Sequence, residues 1–459
     1  MDTLHERSQE FDRIQNDLRD AGVRFVVGAY ADIAGRARGK IVPVGRVADL
    51  LAGSERYTPR GLDGFGSMDP VEDECVTIPD PAALQVLPWN HELAFMPADL
   101  SQEGRAYDLC ARTILKQQLD RAAAMGFRFM LGVETEVYVF RGEGRDPDVE
   151  LVPLHASGSR YPTPAYLVDA AFDSLDFLGP MVAAMDEAGF GVFSFDQEGG
   201  NGQYEFDFAH DEALVMADRL LLFKLMVKEY ARQAGGFATF MPKPTTDAWG
   251  SGAHFNMSLE SIETGENLFR VKGTDDEPGE WTPTCRSFLA GILAHARALA
   301  AITNPTVNSY KRLVGGLTDG EVSWAPIWAS VGDNNRSCML RLPRNRPALE
   351  NRLVDSAANP YLAAAFILAA GLEGIEKSLE PPEFTVGETY QQELSDLNRE
   401  RRLPRTLLEA TEAFVIDPLT HSTFSAGFVK EYVAMKEHEW FSYHDQVSDW
   451  ERRRYLLEL

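Results

Sequence analysis

Four segments of this chain alternate apolar and polar residues at every second position, which is the spacing of a β-strand with one buried face. The segments are VETEVYVF, GQYEFDF, AHFNMSL and LENRLV. Their apolar faces carry residues such as Val133, Tyr204 and Phe255. Their polar faces carry Glu134, Glu136, Gln203, Glu205, His254, Asn256, Ser258, Glu350 and Arg352. The pattern predicts a sheet that rests on a hydrophobic core and presents a strongly charged surface.

Such a charged surface is either a solvated outer face or a metal-binding site. A solvated face usually carries Lys, Thr and Ser, whereas these strands carry almost no lysine. Closely spaced carboxylates also repel one another unless a cation lies between them. Mg²⁺ and Mn²⁺ prefer oxygen ligands and accept one imidazole. Several carboxylates with one histidine would therefore suit a pair of such ions, as phosphoryl transfer often requires.

Arginines on other polar segments supply the complementary charge. They are Arg312, Arg336, Arg341 and Arg352. These segments contain few acidic residues that could pair with the arginines. Guanidinium groups bind phosphate and carboxylate oxygens through paired hydrogen bonds. Each arginine alone could be a loose surface residue, so the prediction of an anion site depends on the cluster as a whole.

The predicted elements divide the chain near residue 108. Before this point the sequence predicts a helix at 12–21, a hairpin with strands at 23–31 and 40–44, and further proline-punctuated strands. After it, long strands alternate with helices predicted at 165–188, 211–234, 284–302 and 360–378. We therefore expect an α+β fold with a small domain at 1–108 and a large domain at 109–459.

The overall composition limits the classes of partner. The net charge is 44 minus 70, or −26, which repels nucleic acid and anionic membranes, so we expect neither as a partner. No apolar run approaches the roughly 18 residues that span a membrane, and the segment MDTLHERSQEF lacks an apolar signal core. The four cysteines lack the spacing of a metal site, and we expect them to be free thiols. We expect a cytoplasmic enzyme.

Several stretches resemble the glutamine synthetase family in order and spacing. They are GVETEVYVF, NGQYEFDF, FMPKP, GSGAHFNMSL, NPTVNSYKRL, NRSCMLRLP and SAANPYL. The segment before residue 108 resembles the family's small β-grasp domain, with its IPDP and LPW landmarks. The resemblance implies that the chain after residue 108 forms a catalytic domain, with a curved antiparallel sheet and flanking helices. It also implies a homo-oligomer, a dodecamer of two stacked hexameric rings whose neighbouring subunits share each active site.

The resemblance further implies ATP and Mg²⁺ or Mn²⁺ as cofactors, with two or three ions per site. The first metal site would consist of Glu136, Glu198 and Glu205. The second would consist of Glu134, His254 and Glu350. The nucleotide would be bound by Arg336, Arg341 and Ser258. Glutamate and its developing γ-phosphate would be bound by Arg312, Arg352 and the backbone of Gly250.

The family reaction proceeds in two steps, and it needs a base. Glutamate's side-chain carboxylate attacks the γ-phosphoryl group of ATP, and an uncharged amine then displaces phosphate from γ-glutamyl phosphate. Because the amine arrives protonated, Asp63 or Glu198 would take its proton. Asp63, in GLDGFG, matches a loop that one subunit lends to its neighbour.

Two departures from the family pattern concern the ammonium end of the site. After NSYKRL, Thr318 stands at the spacing of an acidic flap residue, with Asp319 or Glu321 as substitutes. The asparagine before GSG is replaced by Trp249, which together with Trp324 would line a roomier acceptor site. Combined with an intact metal set, these changes favour a related enzyme with an organic amine as acceptor, similar to γ-glutamylmethylamide synthetase and other γ-glutamylamide ligases.

Two further departures lie near the second metal site. The second histidine of the family's HxH motif is Asn256. An arginine two residues before Glu350 is replaced by Ala348, and Arg346 is the candidate that compensates for it.

We therefore predict ATP-dependent ligation of the glutamate γ-carboxylate to a small organic amine such as methylamine. Ammonia-dependent glutamine synthesis is the first alternative, with the altered flap as neutral drift. A non-catalytic homologue is the second, although it predicts lost metal ligands and all six expected ligands are present. A ligase with another carboxylate donor is the third, because Trp249 lies beside the expected glutamate pocket.

Overall fold

The computed structural model describes residues 2–58, 73–144, 150–155, 164–271, 279–315, 323–390 and 399–458, with side chains from residue 9 onward except that of Arg399. Asp63 and the flap residues Thr318, Asp319 and Glu321 lie outside these ranges. The roles expected of them therefore stay predictions.

The first sheet is built from the early part of the chain. Its elements are α1 (Asp2–Asp20), β1 (Phe25–Ala31), β2 (Ala37–Pro43), α2 (Val47–Leu51), β3 (Arg56–Tyr57), β4 (Cys75–Pro79), β5 (Gln85–Leu87), β6 (Asn90–Gln102) and β7 (Arg105–Ala106). The strand order is β2-β1-β6-β4-β3, and β5 and β7 also pair with β6. The hairpin β1–β2 is antiparallel as predicted, whereas β1 and β6 are parallel. Helix α1 contributes Leu18 to a buried hydrophobic cluster that also contains Val26 of β1 and Leu50 of α2.

The second sheet forms the larger part of the fold. Its strands are β8 (Phe127–Arg141), β9 (Val192–Gln197), β10 (Gln203–Phe208), β11 (Asp211–Glu212), β12 (Gly236–Thr239), β13 (Ala253–Ser261), β14 (Val331–Asp333), β15 (Leu340–Leu342) and β16 (Leu349–Asn351). The order is β14-β15-β16-β13-β8-β10-β9, with β11 and β12 also paired to β8. All pairs are antiparallel except β14–β15. The α+β fold with a large antiparallel sheet is confirmed, while the domain boundary near 108 stays a prediction.

The helices that flank this sheet supply most of the core. They are α3 (Ala111–Ala124), α4 (Val168–Asp173), α5 (Leu175–Glu187), α6 (Ala213–Gln233), α7 (Pro283–Ala294), α8 (Ala296–Thr303), α9 (Ser309–Arg312), α10 (Pro360–Glu376), α11 (Leu407–Ile416), α12 (Pro418–Thr423), α13 (Ala426–His444) and α14 (Asp449–Tyr455). Short 3-10 turns occur at Val44–Arg46, Pro81–Ala83 and Arg399–Arg401. Among the described helices no single one is long and apolar enough to cross a membrane, although α7 and α8 meet that test together despite a 75° bend between them.

The Ala-rich helix α10 is buried as its composition predicts. It begins beside Asn359, whose side-chain oxygen accepts the N–H of Tyr361 at 3.0 Å. The same Asn359 donates its Nδ2 to the carbonyl of Asp32 at 2.9 Å, which ties α10 to the β1–β2 turn. Helix α10 passes so close to α7 that a Cβ on Gly374 would lie 2.1 Å from the carbonyl oxygen of Ser287. Glycine is therefore required at this crossing.

Two predicted helices are broken in the structure. The helix predicted at 165–188 breaks at Ser174, whose hydroxyl bonds to the carbonyl of Ala170 at 3.1 Å and to Tyr204 Oη at 2.8 Å. The helix predicted at 284–302 breaks at His295 between α7 and α8. At both breaks the side chain bonds to residues far away in the chain. Hydrophobic periodicity does not predict such contacts.

Candidate active site

The register of the second sheet brings the predicted polar faces together. Residues directly opposite one another on neighbouring strands share a face of the sheet. The opposing pairs are Glu205–Glu136, Glu134–His254, Asn256–Glu350 and Glu350–Arg341. The charged surface predicted from the alternation is therefore continuous across β10, β8, β13, β16 and β15.

A cavity of about 220 Å³ lies over this surface. It is lined by Glu134, Glu136, Glu198, Glu205, His254, Arg312, Arg336, Arg341 and Arg352, and by Tyr166, Trp249, Gly250 and Trp324. Glu350 has no exposed surface and joins the group through ion pairs with Arg341, at 2.7 Å, and Arg352. Of the described residues predicted for the site, only Ser258 lies in a different cavity.

Two groups of side chains have metal-ligand geometry. The ligand atoms of Glu134, His254 and Glu350 all lie within 4.8 Å of one another, and this is the set expected for the second metal. Those of Glu136, Glu205 and His254 satisfy the same distance. The first metal was expected at Glu136, Glu198 and Glu205, so His254 joins this group while Glu198 lies in the same cavity outside it.

The electrostatics of the group fit a divalent cation. Burial, together with the charge of Glu198, raises the pKa of Glu136 to about 8. Burial and the charges of Glu136 and Glu198 also raise the pKa of Glu205 well above its usual range. Burial and the nearby Arg352 lower the pKa of His254 to about 4, so its imidazole is neutral at physiological pH. Repelling carboxylates beside a neutral imidazole are the donor set that Mg²⁺ or Mn²⁺ would neutralise.

Several backbone and amide groups hold the carboxylates in place. Glu136 Oε2 accepts hydrogen bonds from Gln203 Nε2 at 2.8 Å and from the N–H of Gly252 at 3.0 Å. Glu198 Oε2 accepts the N–H of Gly199 at 2.8 Å. Because these bonds fix the carboxylates before any ligand arrives, the site is preorganised.

The predicted glutamate residues form one corner of the cavity. Arg312 is buried, and its guanidinium donates to the carbonyls of Leu353 and Arg352 at 3.1 Å each. A Cβ on Gly250 would lie 2.7 Å from Arg312 Cγ, so only glycine lets the backbone come this close. The carbonyl of Gly250 accepts Gln203 Nε2 at 3.2 Å.

Aromatic residues also line the cavity, and the contacts of Trp249 with Gly199 and Tyr138 were not predicted. The indole of Trp249 packs flat on Gly199, where a Cβ would lie 2.4 Å from the ring. Tyr138 Oη donates to the carbonyl of Trp249 at 2.6 Å. Tyr166, with φ +62°, also lines the cavity. In the sequence, only the glycines of the EGGNGQ segment could have indicated this packing. No sequence pattern indicates that Tyr166 lines the cavity.

A second cavity of about 340 Å³ adjoins the first at Glu134, which lines both. Ser258, expected on the nucleotide side, lies here together with Asn256 and Arg346. Phe193 and Phe208 add apolar surface to the same cavity. An apolar cavity next to the acid cluster can hold a base and ribose while the phosphates extend toward the carboxylates and arginines.

Sequence comparison relates the chain to known enzymes. The family model described as "Glutamine synthetase, catalytic domain" matches residues 108–455. A "Glutamine synthetase" of Rhizobium leguminosarum bv. phaseoli is 33% identical over 438 residues, which cover 95% of this chain and 97% of the relative. A "Glutamate--methylamine ligase" of Methyloversatilis universalis is 33% identical over 445 residues, which cover 96% of this chain and 98% of the relative.

Structural comparison points in the same direction. A solved complex of GmaS (gamma-glutamylmethylamide synthetase) with ADP superposes with a TM-score of 0.85 at 34% identity, covering 96% of this chain and 99% of that chain. GmaS without ligand superposes with a TM-score of 0.84 at the same identity.

Proposed function

Because the chain belongs to the glutamine synthetase family, we propose that it joins the side-chain carboxylate of glutamate to a small organic amine. ATP supplies the driving force, and the products are a γ-glutamylamide, ADP and phosphate. Methylamine and other short alkylamines are the proposed acceptors.

One observation carries this proposal. The cavity beside the two candidate metal groups is lined by Trp249 and Trp324. The carboxylates and His254 of the candidate metal groups lie together in this part of the chain, while the proposed acceptor half has Trp249 where the family pattern has an asparagine. An aromatic wall favours the methyl group of an alkylamine over a fully hydrated ammonium ion.

The residues of the cavity have distinct roles in the proposed reaction. Arg336 and Arg341 bind the ATP phosphates, and Arg312 and Arg352 bind glutamate and its developing γ-phosphate. Glu134, Glu136, Glu205, His254 and Glu350 would hold the divalent ions, which would supply charge neutralisation at the transferring phosphoryl group. The guanidinium groups hold the γ-carboxylate in line with that group, since phosphoryl transfer depends chiefly on positioning and charge neutralisation.

Glu198 is the proposed base for the incoming amine. Burial raises the pKa of its carboxyl, which makes it a better proton acceptor than an ordinary glutamate. Its bond to the N–H of Gly199 aims it into the cavity beside Trp249. Asp63 of a neighbouring subunit stays the alternative base.

The proposed enzyme is a homo-oligomer with shared active sites, as in the two-ring dodecamer of the family. Exposed apolar side chains near the entrance support a covered surface there. They are Tyr166, Val168, Phe172 and Phe193. Tyr166 and Phe193 line the two cavities, so a subunit placed on this surface would close the site.

The test is phosphate release from ATP with glutamate, Mg²⁺ or Mn²⁺, and a panel of ammonia, methylamine, ethylamine, isopropylamine, ethanolamine, putrescine and aniline. We expect an organic amine to exceed ammonia in kcat/KM by about tenfold, which corresponds to roughly 1.4 kcal/mol of transition-state preference. Trp249→Asn should narrow this preference, because it restores the polar residue of the family pattern.

Glutamine synthesis is the second candidate, favoured by relatives such as the Rhizobium leguminosarum enzyme. Ammonia would then give the highest kcat/KM of the panel. No phosphate release with any amine of the panel would point instead to another carboxylate donor, and a panel of other amino acids would identify it.

A further inference from the structure

The loop that joins β12 to β13 carries two residues of the proposed site. It spans residues 240–252, and both Trp249 of the proposed acceptor half and Gly250 of the glutamate corner belong to it. The loop begins with FMPKP, a segment of the family pattern that has no role in the proposed reaction. Because a loop lacks the regular hydrogen bonds of a helix or strand, other groups must satisfy its backbone.

Lys243 of this segment bridges the loop. Its side chain is buried, and its Nζ donates to the carbonyl of Ala248, the residue before Trp249. Beside it, the carbonyl of Pro242 accepts the N–H of Ser251 at 2.8 Å. Residues 242 and 243 are therefore bonded to the loop both before and after Trp249. A lysine is rarely buried unless its ammonium group has a partner, so the bond to Ala248 is what keeps this side chain inside.

The peptide groups on both sides of Trp249 are held by side chains. The Ala248 carbonyl, in the peptide before Trp249, accepts Lys243 Nζ. The Trp249 carbonyl, in the peptide after it, accepts Tyr138 Oη at 2.6 Å. A residue has only two soft backbone dihedrals, and both lie between these two peptide planes. Holding both planes therefore fixes the backbone from which the indole reaches Gly199.

Asn308 holds the backbone of Lys243 from the other side. The N–H of Lys243 donates to Asn308 Oδ1 at 2.7 Å, and Asn308 Nδ2 donates to the carbonyl of Lys243 at 2.9 Å. Asn308 directly precedes α9, the helix that ends at Arg312. The paired amide bonds thus connect the loop of the acceptor half to the helix that carries a proposed glutamate-binding arginine.

We propose that Lys243, anchored by Asn308, is a positioning residue for the amine acceptor. Its bond to the Ala248 carbonyl keeps the indole of Trp249 over Gly199, and this placement sets the preference for an alkylamine over ammonia. The inference rests on the proposed function, in which Trp249 lines the acceptor site. Lys243 acts through the loop alone, so its removal should change the choice of amine and leave ATP binding unaffected.

Competition between methylamine and ammonium at equal concentration tests this role in the full chain. The ratio of γ-glutamylmethylamide to glutamine should fall from about tenfold in the wild type to about threefold or less in Lys243→Met, because the ring is no longer held. The KM for ATP should not change. Lys436→Met is the matched control, since Lys436 is also buried and donates to the carbonyl of Pro305 at 2.6 Å. It should keep the wild-type product ratio.

A double variant separates the positioning of Trp249 from a general structural role. Lys243→Met in the Trp249→Asn background should leave the product ratio at the value of Trp249→Asn alone, because the ring that Lys243 positions is absent. Independent effects would add instead. Asn308→Ala tests the anchor of the same loop. It should lower the product ratio and also raise the KM for glutamate, since α9 loses its link to the loop.

Two results would overturn the inference. The first is a folded Lys243→Met with the wild-type product ratio, and a wild-type ratio in Asn308→Ala has the same meaning if Lys243→Met fails to fold. The second is a ratio that falls equally with and without Trp249. Glutamine as the main product of the wild type would instead contradict the proposed function. A change of ratio in Lys243→Met that is absent in the Trp249→Asn background would still support the positioning role.

Discussion

The proposed acceptor site depends on one glycine. Gly199 leaves room for the indole of Trp249 and at the same time donates its N–H to Glu198. Any side chain at 199 would displace the ring, the carboxylate, or both. The size of the acceptor site and the position of the proposed base are therefore set by the same contact.

Gly199→Ala tests this dependence. The added Cβ would lie 2.4 Å from the indole, and overpacking of this kind costs about 1–3 kcal/mol. We expect kcat/KM for the preferred amine to fall by about tenfold or more, measured by phosphate release. The control is Gly427→Ala in α13, where the nearest atom to a Cβ is 3.7 Å away, and its activity should equal that of the wild type. Full activity in Gly199→Ala would contradict the proposed geometry.

At the scale of elements, the junction of α7 and α8 is fixed by a histidine between two acids. His295 Nδ1 lies 2.9 Å from Asp417, and its Nε2 lies 2.7 Å from Glu373. Burial opposes a charge on the ring, but Asp417 and Glu373 outweigh it and raise the pKa of His295. Glu373 also pairs with Lys377 at 2.8 Å. A protonated ring can donate to both carboxylates at once.

The stability of this junction should depend on pH. The pKa of His295 is higher in the folded state than its ordinary value of about 6.5, so the stabilisation is complete below that pH. It is lost as the pH rises through the folded-state pKa. The melting temperature of His295→Gln should therefore fall below that of the wild type at about pH 6, with the difference shrinking toward about pH 9.

His421→Gln is the control, because His421 is exposed on α12 and bonds to the carbonyl of Val415 at 2.7 Å. It should leave the pH dependence unchanged. A constant difference between His295→Gln and wild type at every pH would show that the ring acts by packing alone.

At the scale of the whole molecule, apolar surface at the end of the described chain is available for assembly. The exposed residues include Phe441, Val447, Trp450, Leu456 and Leu457, the last with 97% of its surface exposed. Large exposed apolar patches mark interaction sites, so we expect these residues to contribute to the proposed assembly. It adds a second exposed apolar region to the one near the cavity entrance.

Trp450→Ser combined with Leu456→Ser should weaken assembly, because it removes apolar area from the proposed contact. Light scattering during size-exclusion chromatography should show a large wild-type oligomer and smaller species for the variant. Arg453→Ser on the same helix is the control. A wild-type chain that is monomeric at every concentration would contradict both the assembly and the shared active site.

The sequence predicted the parts of the fold that depend on local pattern. The alternation in β8, β10 and β13 predicted the charged face, because register follows from burial of the apolar face. It did not predict the packing of Trp249 on Gly199 or the breaks at Ser174 and His295. These features depend on contacts between residues far apart in the chain, which periodicity does not describe.

The most direct test of the central claim is a competition for one pool of γ-glutamyl phosphate. Methylamine and ammonium are supplied together at equal concentration with glutamate, ATP and Mg²⁺, and mass spectrometry measures both products. The proposed acceptor site predicts that γ-glutamylmethylamide exceeds glutamine by about tenfold or more. Glutamine as the main product would contradict it and would identify the chain as a glutamine synthetase with an altered acceptor site.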